Sequence, residues 1–588
     1  MASPNPKDSD ISATWKDRGA SPLSRGASPL SSESTIKLHA SESKFTKQIK
    51  TEETPLLPQK PKPRSLSPPS RGRSIDGNSS LPRTTSIDSI ESQPSYAVVL
   101  AKEALEFFLY GPKPMSKEDL KKREWQWYDI WDVSANAKEI FIRHRESDLA
   151  VLDGIRALAY LWVLSDHVNQ AFTKEVSDFV TWWHTQSDGI GIVADGNKGD
   201  QGVTSFFFLS GFLIPFIFSK MIQSCKKSLP PDTPAPAFIY HAFEFLFRRY
   251  MRLGPVLLSG TAVAVLYGYC IHAYSATSYK QFYSTCSKYW WENAVFLNNV
   301  SPMAGWGDCY DSVWTISVEY QLYILTIPVV YFHDWKQEYG WYAVAVWTSL
   351  TFVLRVLMTY YCDTKDLSFT AYVYLTAWCR APEYGIGMAM FMLYEYYYET
   401  PKKKAQIIPF HDLNSRQLLA RLVFYGAIFG MFAFGFFYLL TEDYEDWWAY
   451  SYAQYESFSY FIWASTLLSV VFLSIDSVNG IWFFWPLRWV LSWYVWYPIA
   501  QVAYTAGVLN IIICHGIATL TTVIYGTEAW QVDTPTITYL MIYLMIALVT
   551  LTCGLILSLL VERPAMNLAK KVPAFYILFG PKKEVIEV

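Results

Sequence analysis

The sequence predicts an all-α polytopic membrane protein, with about ten transmembrane helices around a polar central cavity. Of its 588 residues, 51% are hydrophobic and only 17% are charged, and the mean hydropathy is +0.11 despite a long polar N-terminal segment. Apolar runs long enough to cross ~30 Å of hydrocarbon recur from residue 152 onward. A net charge of −3 is too small to imply a nucleic-acid partner.

Residues 1–95 form a compositionally distinct segment, rich in Ser, Pro, Lys and Arg. Such a chain cannot bury enough apolar area to fold, so we expect a disordered cytosolic regulatory tail. Arg-x-x-Ser spacings, as at Arg18 and Ser21, indicate kinase sites, and Glu52-Glu-Thr-Pro-Leu56-Leu57 matches an acidic dileucine sorting signal. Kinases and sorting adaptors are therefore expected partners. Residues 96–150 mix aromatic and charged side chains and predict amphipathic helices on the membrane before the first span.

Residues 151–565 are predicted to form the transmembrane domain, and 566–588 a cytosolic C-terminal tail. The predicted spans lie near 152–173, 202–222, 253–274, 311–332, 340–360, 381–398, 419–440, 458–474, 484–508 and 537–560. The run 509–524 is also apolar and could be an eleventh helix or a re-entrant segment. An even number of spans places both termini on one side of the membrane.

The distribution of Lys and Arg between the loops predicts the orientation of the chain in the membrane. If the N-terminus is cytosolic, the cytosolic loops contain most of these residues, including Lys402, Lys403 and Lys404, whereas the opposite loops are poor in them. No cleavable signal peptide precedes the tail, so the first span is expected to act as the topology signal. We expect both termini to be cytosolic in a protein of the endomembrane system (vacuole, lysosome or Golgi) or the plasma membrane.

Cysteines concentrate in the loops predicted to be non-cytosolic, where disulfides persist. Cys286 and Cys309 share the loop 275–310, while Cys362 and Cys379 flank another. We favour the pair Cys286–Cys309, because Cys379 is close to the start of a predicted helix. The sequon at Asn299 lies in the same loop as the favoured pair and predicts a glycan, although the proline directly after the sequon disfavours it.

Arg156 and His167 lie in the first predicted span. The eleven steps between them, at ~100° each, bring the two side chains to within ~20° of each other, roughly 16 Å apart along the helix. Because both groups are costly in lipid, their shared face indicates a polar cavity inside a bundle. Taken alone, a histidine in a helix is more often a satisfied core residue.

Five segments occur in a fixed order from the first span to the last: Leu152-Asp-Gly-Ile-Arg156 through Asp166-His167, Gly202 to Ile214 with Ser210-Gly211, Arg248-Arg249-Tyr-Met-Arg252-Leu-Gly-Pro255, Trp314-Thr-Ile-Ser-Val-Glu319-Tyr-Gln-Leu-Tyr323, and Val561-Glu-Arg-Pro564. In this order they resemble the motifs of the membrane acyltransferase-3 family. The loop around Cys286 is similar to that of its eukaryotic, nose-resistant-to-fluoxetine-like branch.

The resemblance implies an acyl-CoA-dependent acyltransferase. It implies transfer of an acyl group, with acetyl favoured, from cytosolic acyl-CoA to a hydroxyl-bearing glycan or lipid on the lumenal or extracellular side. His167 is the candidate base, because a neutral imidazole accepts protons near neutral pH. Arg249 and Arg252, three residues apart, are expected to bind CoA phosphates together with Arg156, and Ser210 is assigned to the same donor site. Snorkelling to lipid headgroups is the alternative for these arginines and is favoured for Arg248.

Two acidic residues complete the predicted catalytic group. Asp166 points about 100° away from its neighbour His167 on a helix, so a contact to another helix is the favoured role. Glu319 shares a face with Ser312, Thr315 and Tyr323, and that face is expected to line the cavity. Glu319 either belongs to the site, as the resemblance implies, or forms a structural salt bridge to Arg355 or Arg380. Acyl-CoA is the only cofactor-like ligand expected, and no metal-ligand spacing stands out.

One position departs from the family pattern. The ninth span reads Tyr494-Val-Trp-Tyr497-Pro498, with Tyr497 where many members have His. Two other functional classes remain open. A proton-coupled transporter could relay protons through His167 and Glu319, although the spans show no repeat. A catalytically inactive relative could bind lipid or act as a scaffold through its tail.

Overall fold

The computed structural model describes residues 130–142, 149–176, 199–228, 236–305, 309, 311–396, 423, 425–426, 429–430, 449–476, 485–525 and 535–571. The predicted tails at 1–95 and beyond 571, and most of the predicted span 419–440, lie outside these residues. Within them every regular element is helical, as predicted.

The helices of the first half are α1 Val133–Phe141, α2 Val151–Glu175, α3 Gly199–Ser228, α4 Pro236–Ile271, α5 Ala276–Ser278, α6 Cys286–Ala294 and α7 Ser301–Ala304. Those of the second half are α8 Trp314–Trp335, α9 Gln337–Lys365, α10 Ala377–Tyr394, α11 Ala449–Asp476, α12 Trp485–Leu491, α13 Trp496–Tyr525, α14 Pro535–Leu557 and α15 Arg563–Lys571. Three π-helical segments and two 3-10 turns connect them, at Tyr279–Thr285, Thr370–Tyr374, Ser558–Glu562, Asn298–Val300 and Asp311–Val313.

Seven of the described helical segments are long and apolar enough to cross a membrane, so the chain is a polytopic membrane protein. They correspond to α3, α4, α8, α9, α11, α13 and the run from α14 into α15. The more polar α2 packs against α13 and α3, and α10 packs against α3 and α9. Helices α2 and α10, which contain the buried charges Asp153, Arg380 and Glu383, thus pack against more apolar helices.

The apolar run 509–524 is not a separate span. Helix α13 is continuous from Trp496 to Tyr525, and the break predicted after 508 lies earlier, between α12 and α13. Asn510 lies within this helix, and its side chain is buried against α2, where it bonds to His167. The boundaries 484–508 and the proposed eleventh segment are therefore corrected to one long helix.

Helices α3 and α10 contact each other backbone to backbone. A Cβ added at Gly211 would lie 2.1 Å from the carbonyl oxygen of Tyr384, and one added at Gly387 would lie 2.2 Å from that of Phe208. Neither glycine could accept a side chain without separation of the helices. The glycine of the Ser210-Gly211 pair therefore lies at a close contact between two helices, where small residues are favoured.

The segment between α4 and α8 contains a disulfide that joins Cys286 and Cys309. Cys362 and Cys379 are buried free thiols. The structure does not support the glycan predicted at Asn299. Its side chain is 1% exposed, and its Nδ2 donates to the carbonyl oxygen of Leu375 at 3.2 Å, so a glycan could not be attached to this nitrogen in the folded protein.

Candidate functional site

A cavity of about 900 Å³ runs through the bundle between α2, α3, α4, α8 and α13. One end is lined by Arg563 and Met566, and the other by the segment from Ser368 to Leu375. All seven predicted site residues line it: Arg156, Asp166, His167, Ser210, Arg249, Arg252 and Glu319. Residues from four separate helices are thus brought to one polar chamber.

His167 is held by a neighbour that the sequence did not reveal. Its Nδ1 lies 3.0 Å from Oδ1 of Asn510, a buried residue of α13 that also lines the cavity. When Nδ1 donates this hydrogen bond, Nε2 is the nitrogen that can accept a proton. The only sequence signal for this partner was a neutral polar residue within a long apolar run.

Glu319 accepts a hydrogen bond from Ser210, which joins α8 to α3 in the cavity wall. Its helical neighbours Ser312, Thr315 and Tyr323 line the same cavity, so the predicted polar face is confirmed.

The alternative salt bridges of Glu319 are wrong. Arg355 donates instead to Glu383, and the Nε of Arg380 donates to the carbonyl oxygen of Tyr374 at 2.9 Å.

The arginines of α4 differ in their surroundings. Arg249 is 9% exposed and faces the cavity, and its guanidinium lies over the Phe245 ring. Among the described residues, no carboxylate lies within ion-pair distance of Arg249. Arg252 Nε lies 3.6 Å from Glu562. Arg248 pairs with Glu244 at 2.6 Å and does not line the cavity, which fits its predicted placement outside the site.

The final motif closes the same end of the cavity. Glu562 accepts from Ser558 Oγ at 2.6 Å and so presents its other oxygen to Arg252. Arg563 donates through Nη2 to Oε1 of Gln501 at 3.1 Å. The sequence motif alone does not predict a role for Glu562 or Arg563.

The opposite end of the cavity contains two aspartates. Asp166 accepts from Gln170 at 2.9 Å, and its Cβ lies against Gly199, which is the predicted contact to another helix. Asp200 accepts from the hydroxyl groups of Tyr374 and Tyr460. This end therefore presents carboxylates and aromatic rings, whereas the Arg563 end presents cations.

Tyr497 lies outside the cavity lining. Its hydroxyl donates to the carbonyl oxygen of Ile142 at 3.1 Å, and that of Tyr494 donates to Phe141 at 2.5 Å. Both tyrosines hold the C-terminal end of α1 against the start of α13 and the turn before it. In the structure, Tyr497 thus contributes to the docking of α1 and not to the cavity.

The described part of the chain contains no group of three or more His, Cys, Asp and Glu side chains that could hold a metal ion.

The chain is similar to nose resistant to fluoxetine protein 6 of Caenorhabditis elegans, with 22% identity over 417 residues that cover 65% of this chain and 47% of that protein. It spans about half the length of this curated relative. No family model and no solved structure matches. The fold is that of a polytopic membrane protein, and its sequence is similar to this nose resistant protein.

Proposed function

We propose that the protein is a membrane-embedded O-acyltransferase that moves an acyl group from acyl-CoA to a hydroxyl acceptor. One observation carries the proposal: the cavity holds both a hydrogen-bonded histidine, His167, and a buried arginine, Arg249, without a carboxylate partner among the described residues. The similarity to the nose-resistant protein is consistent with this activity.

The arginine argues for an anionic ligand. A guanidinium buried within a membrane protein is costly unless an anion or a polar ligand compensates it. Arg252 and Arg156 line the same cavity, so three cations could meet the phosphate groups of CoA. We assign the acyl-CoA donor to the Arg563 end of the cavity and expect it to enter from the cytosol.

The histidine argues for proton transfer. With Nδ1–H donating to Asn510, Nε2 of His167 accepts the proton of the acceptor hydroxyl. The acceptor oxygen attacks the thioester carbonyl carbon, the C–S bond breaks, and the CoA thiolate takes up the proton from the imidazolium. Glu319 and Ser210 fix each other in the cavity wall beside the reacting groups. The products are an ester and free CoA.

The acceptor is assigned to the end lined by Asp166, Asp200 and Tyr374. Because the cavity extends between the two ends, donor and acceptor could approach from opposite sides of the membrane. A hydroxyl-bearing glycan or lipid is the acceptor class that fits this arrangement.

The test is CoA release from acetyl-CoA and longer acyl-CoAs by the full chain in lipid nanodiscs. We expect release in the wild type and a loss of about 10²-fold or more in His167→Gln. His333→Gln is the matched control, because His333 is likewise a hydrogen-bonded histidine within the bundle, paired with Glu395, but does not line the cavity. Absence of CoA binding by the wild type would refute the proposal, and proton-coupled uptake without CoA release would support a transporter.

A further inference from the structure

Helix α1 docks at the Arg563 end of the cavity. Asn567 of α15 donates to Oδ1 of Asn136 at 3.0 Å, one helical turn before Glu139. Glu139 Oε2 accepts from Nη1 of Arg563 at 3.2 Å. The helix that precedes the first span therefore brings a carboxylate to a guanidinium in the cavity wall.

Arg563 is buried but incompletely satisfied. Its side chain is 9% exposed, and its Nε has no hydrogen-bond partner among the described residues. A guanidinium offers five N–H donors, and here Gln501 and Glu139 take one each. Each of the two Nη nitrogens keeps a second N–H, and the residue lines the cavity, so these two donors could meet an anion there.

The Glu139 half of the ion pair is accessible to water. Its side chain is 35% exposed, and Lys570 lies 3.9 Å from its other oxygen. Ion pairs with such access to solvent contribute little, because water screens them. Exchange of this carboxylate for a more highly charged anion would therefore cost little.

The charges around Arg563 favour such an anion. Arg249 and Arg252 line the same cavity, and Arg252 lies 3.6 Å from Glu562, the residue before Arg563, whose other oxygen accepts from Ser558. Guanidinium groups bind phosphate in a bidentate manner and more strongly than neutral donors do. A ligand with several phosphate groups would have a partner at each arginine.

We infer that Arg563 is a donor-binding residue that contacts a phosphate of CoA, and that Glu139 of α1 competes with that phosphate for it. The inference rests on the proposed function, since CoA is the anion it names. In this arrangement α1 sets the affinity for the donor without contact to the reacting atoms. Glu139 acts on the donor site only through Arg563.

The test is isothermal titration of CoA into the full chain in nanodiscs. Arg563→Gln is expected to weaken CoA binding by about tenfold, because a charge-assisted hydrogen bond is lost. Glu139→Gln is expected to tighten binding by about two- to fivefold, because the competitor is neutralised. A merely structural ion pair predicts weaker or unchanged binding in both variants. Arg563→Lys, which keeps the charge without the bidentate fork, should fall between wild type and Arg563→Gln.

Arg248→Gln and Glu244→Gln form the matched control, since this ion pair joins the same residue types outside the cavity. Both should bind CoA as the wild type does. Wild-type affinity in Arg563→Gln, or unchanged or weaker affinity in Glu139→Gln, would overturn the inference while the proposed function stands. A wild type that binds no CoA would overturn both.

Discussion

Replacement of Asn510 by Leu tests the role of His167 most directly. The variant removes the oxygen that lies 3.0 Å from Nδ1 and leaves a buried apolar group of similar size. A neutral hydrogen bond of this kind contributes about 0.5–1.5 kcal/mol. Because about 1.4 kcal/mol corresponds to tenfold in rate, loss of the preferred tautomer and ring orientation should lower kcat by about 2- to 13-fold.

The assay is single-turnover and steady-state CoA release in nanodiscs. KM for the acyl-CoA donor should change little, because Asn510 is expected to act on the base and not on the donor. His167→Gln should lower the rate by about 10²- to 10⁴-fold. The double variant should be no slower than His167→Gln alone, since Asn510 has no base left to orient.

Thr505→Val is the matched control. Thr505 is also buried in α13, but its hydroxyl donates to the carbonyl oxygen of Val502 and it does not line the cavity. An unchanged kcat in Asn510→Leu, or rate losses that multiply in the double variant, would refute the assignment of Asn510 as the residue that orients His167.

Three further predictions concern stability. Glu383→Gln leaves Arg355 buried without its anion and should cost about 3–5 kcal/mol, seen as a lower melting temperature in detergent, whereas addition of Arg355→Met should restore most of it. Cys286→Ser opens a disulfide with a sequence separation of 23 and should cost about 3 kcal/mol, while Cys270→Ser, at an exposed free thiol, should change nothing. Burial raises the pKa of Glu292, outside the spans, so the protonated form is favoured in the folded state. The stabilisation by protonated Glu292 is present below the pKa of this residue in the unfolded state and is lost as pH rises through its pKa in the folded state. The melting temperature of the wild type should therefore fall relative to that of Glu292→Gln between about pH 4 and 7. Parallel curves of melting temperature against pH for the two proteins would contradict this.

The sequence was sufficient to predict which polar residues line the cavity. Charged groups within apolar runs must face a polar interior, and helical periodicity placed Arg156 and His167 on one face. The same reasoning placed Ser312, Thr315 and Glu319 together, and all of these residues line the cavity.

Pairings between distant helices could not be predicted in this way. A neutral Asn510 in an apolar run carries no signal of the helix that it faces. From the sequence, Glu319 could belong to the site or form a salt bridge to Arg355 or Arg380, and only the packing shows that Arg355 pairs with Glu383. The sequon at Asn299 specifies the chemistry of a glycan acceptor but not its accessibility, which depends on the fold around it.

The contact at Gly211 has a consequence for the residue beside it. Ser210, the hydrogen-bond donor to Glu319, immediately precedes this glycine on α3, so the helix-to-helix distance also sets the depth at which the serine stands. A single methyl group at Gly211 would shift α3 away from α10 and carry Ser210 with it. The absence of a side chain at Gly211 therefore helps to set the width of the cavity, although Gly211 itself does not line it.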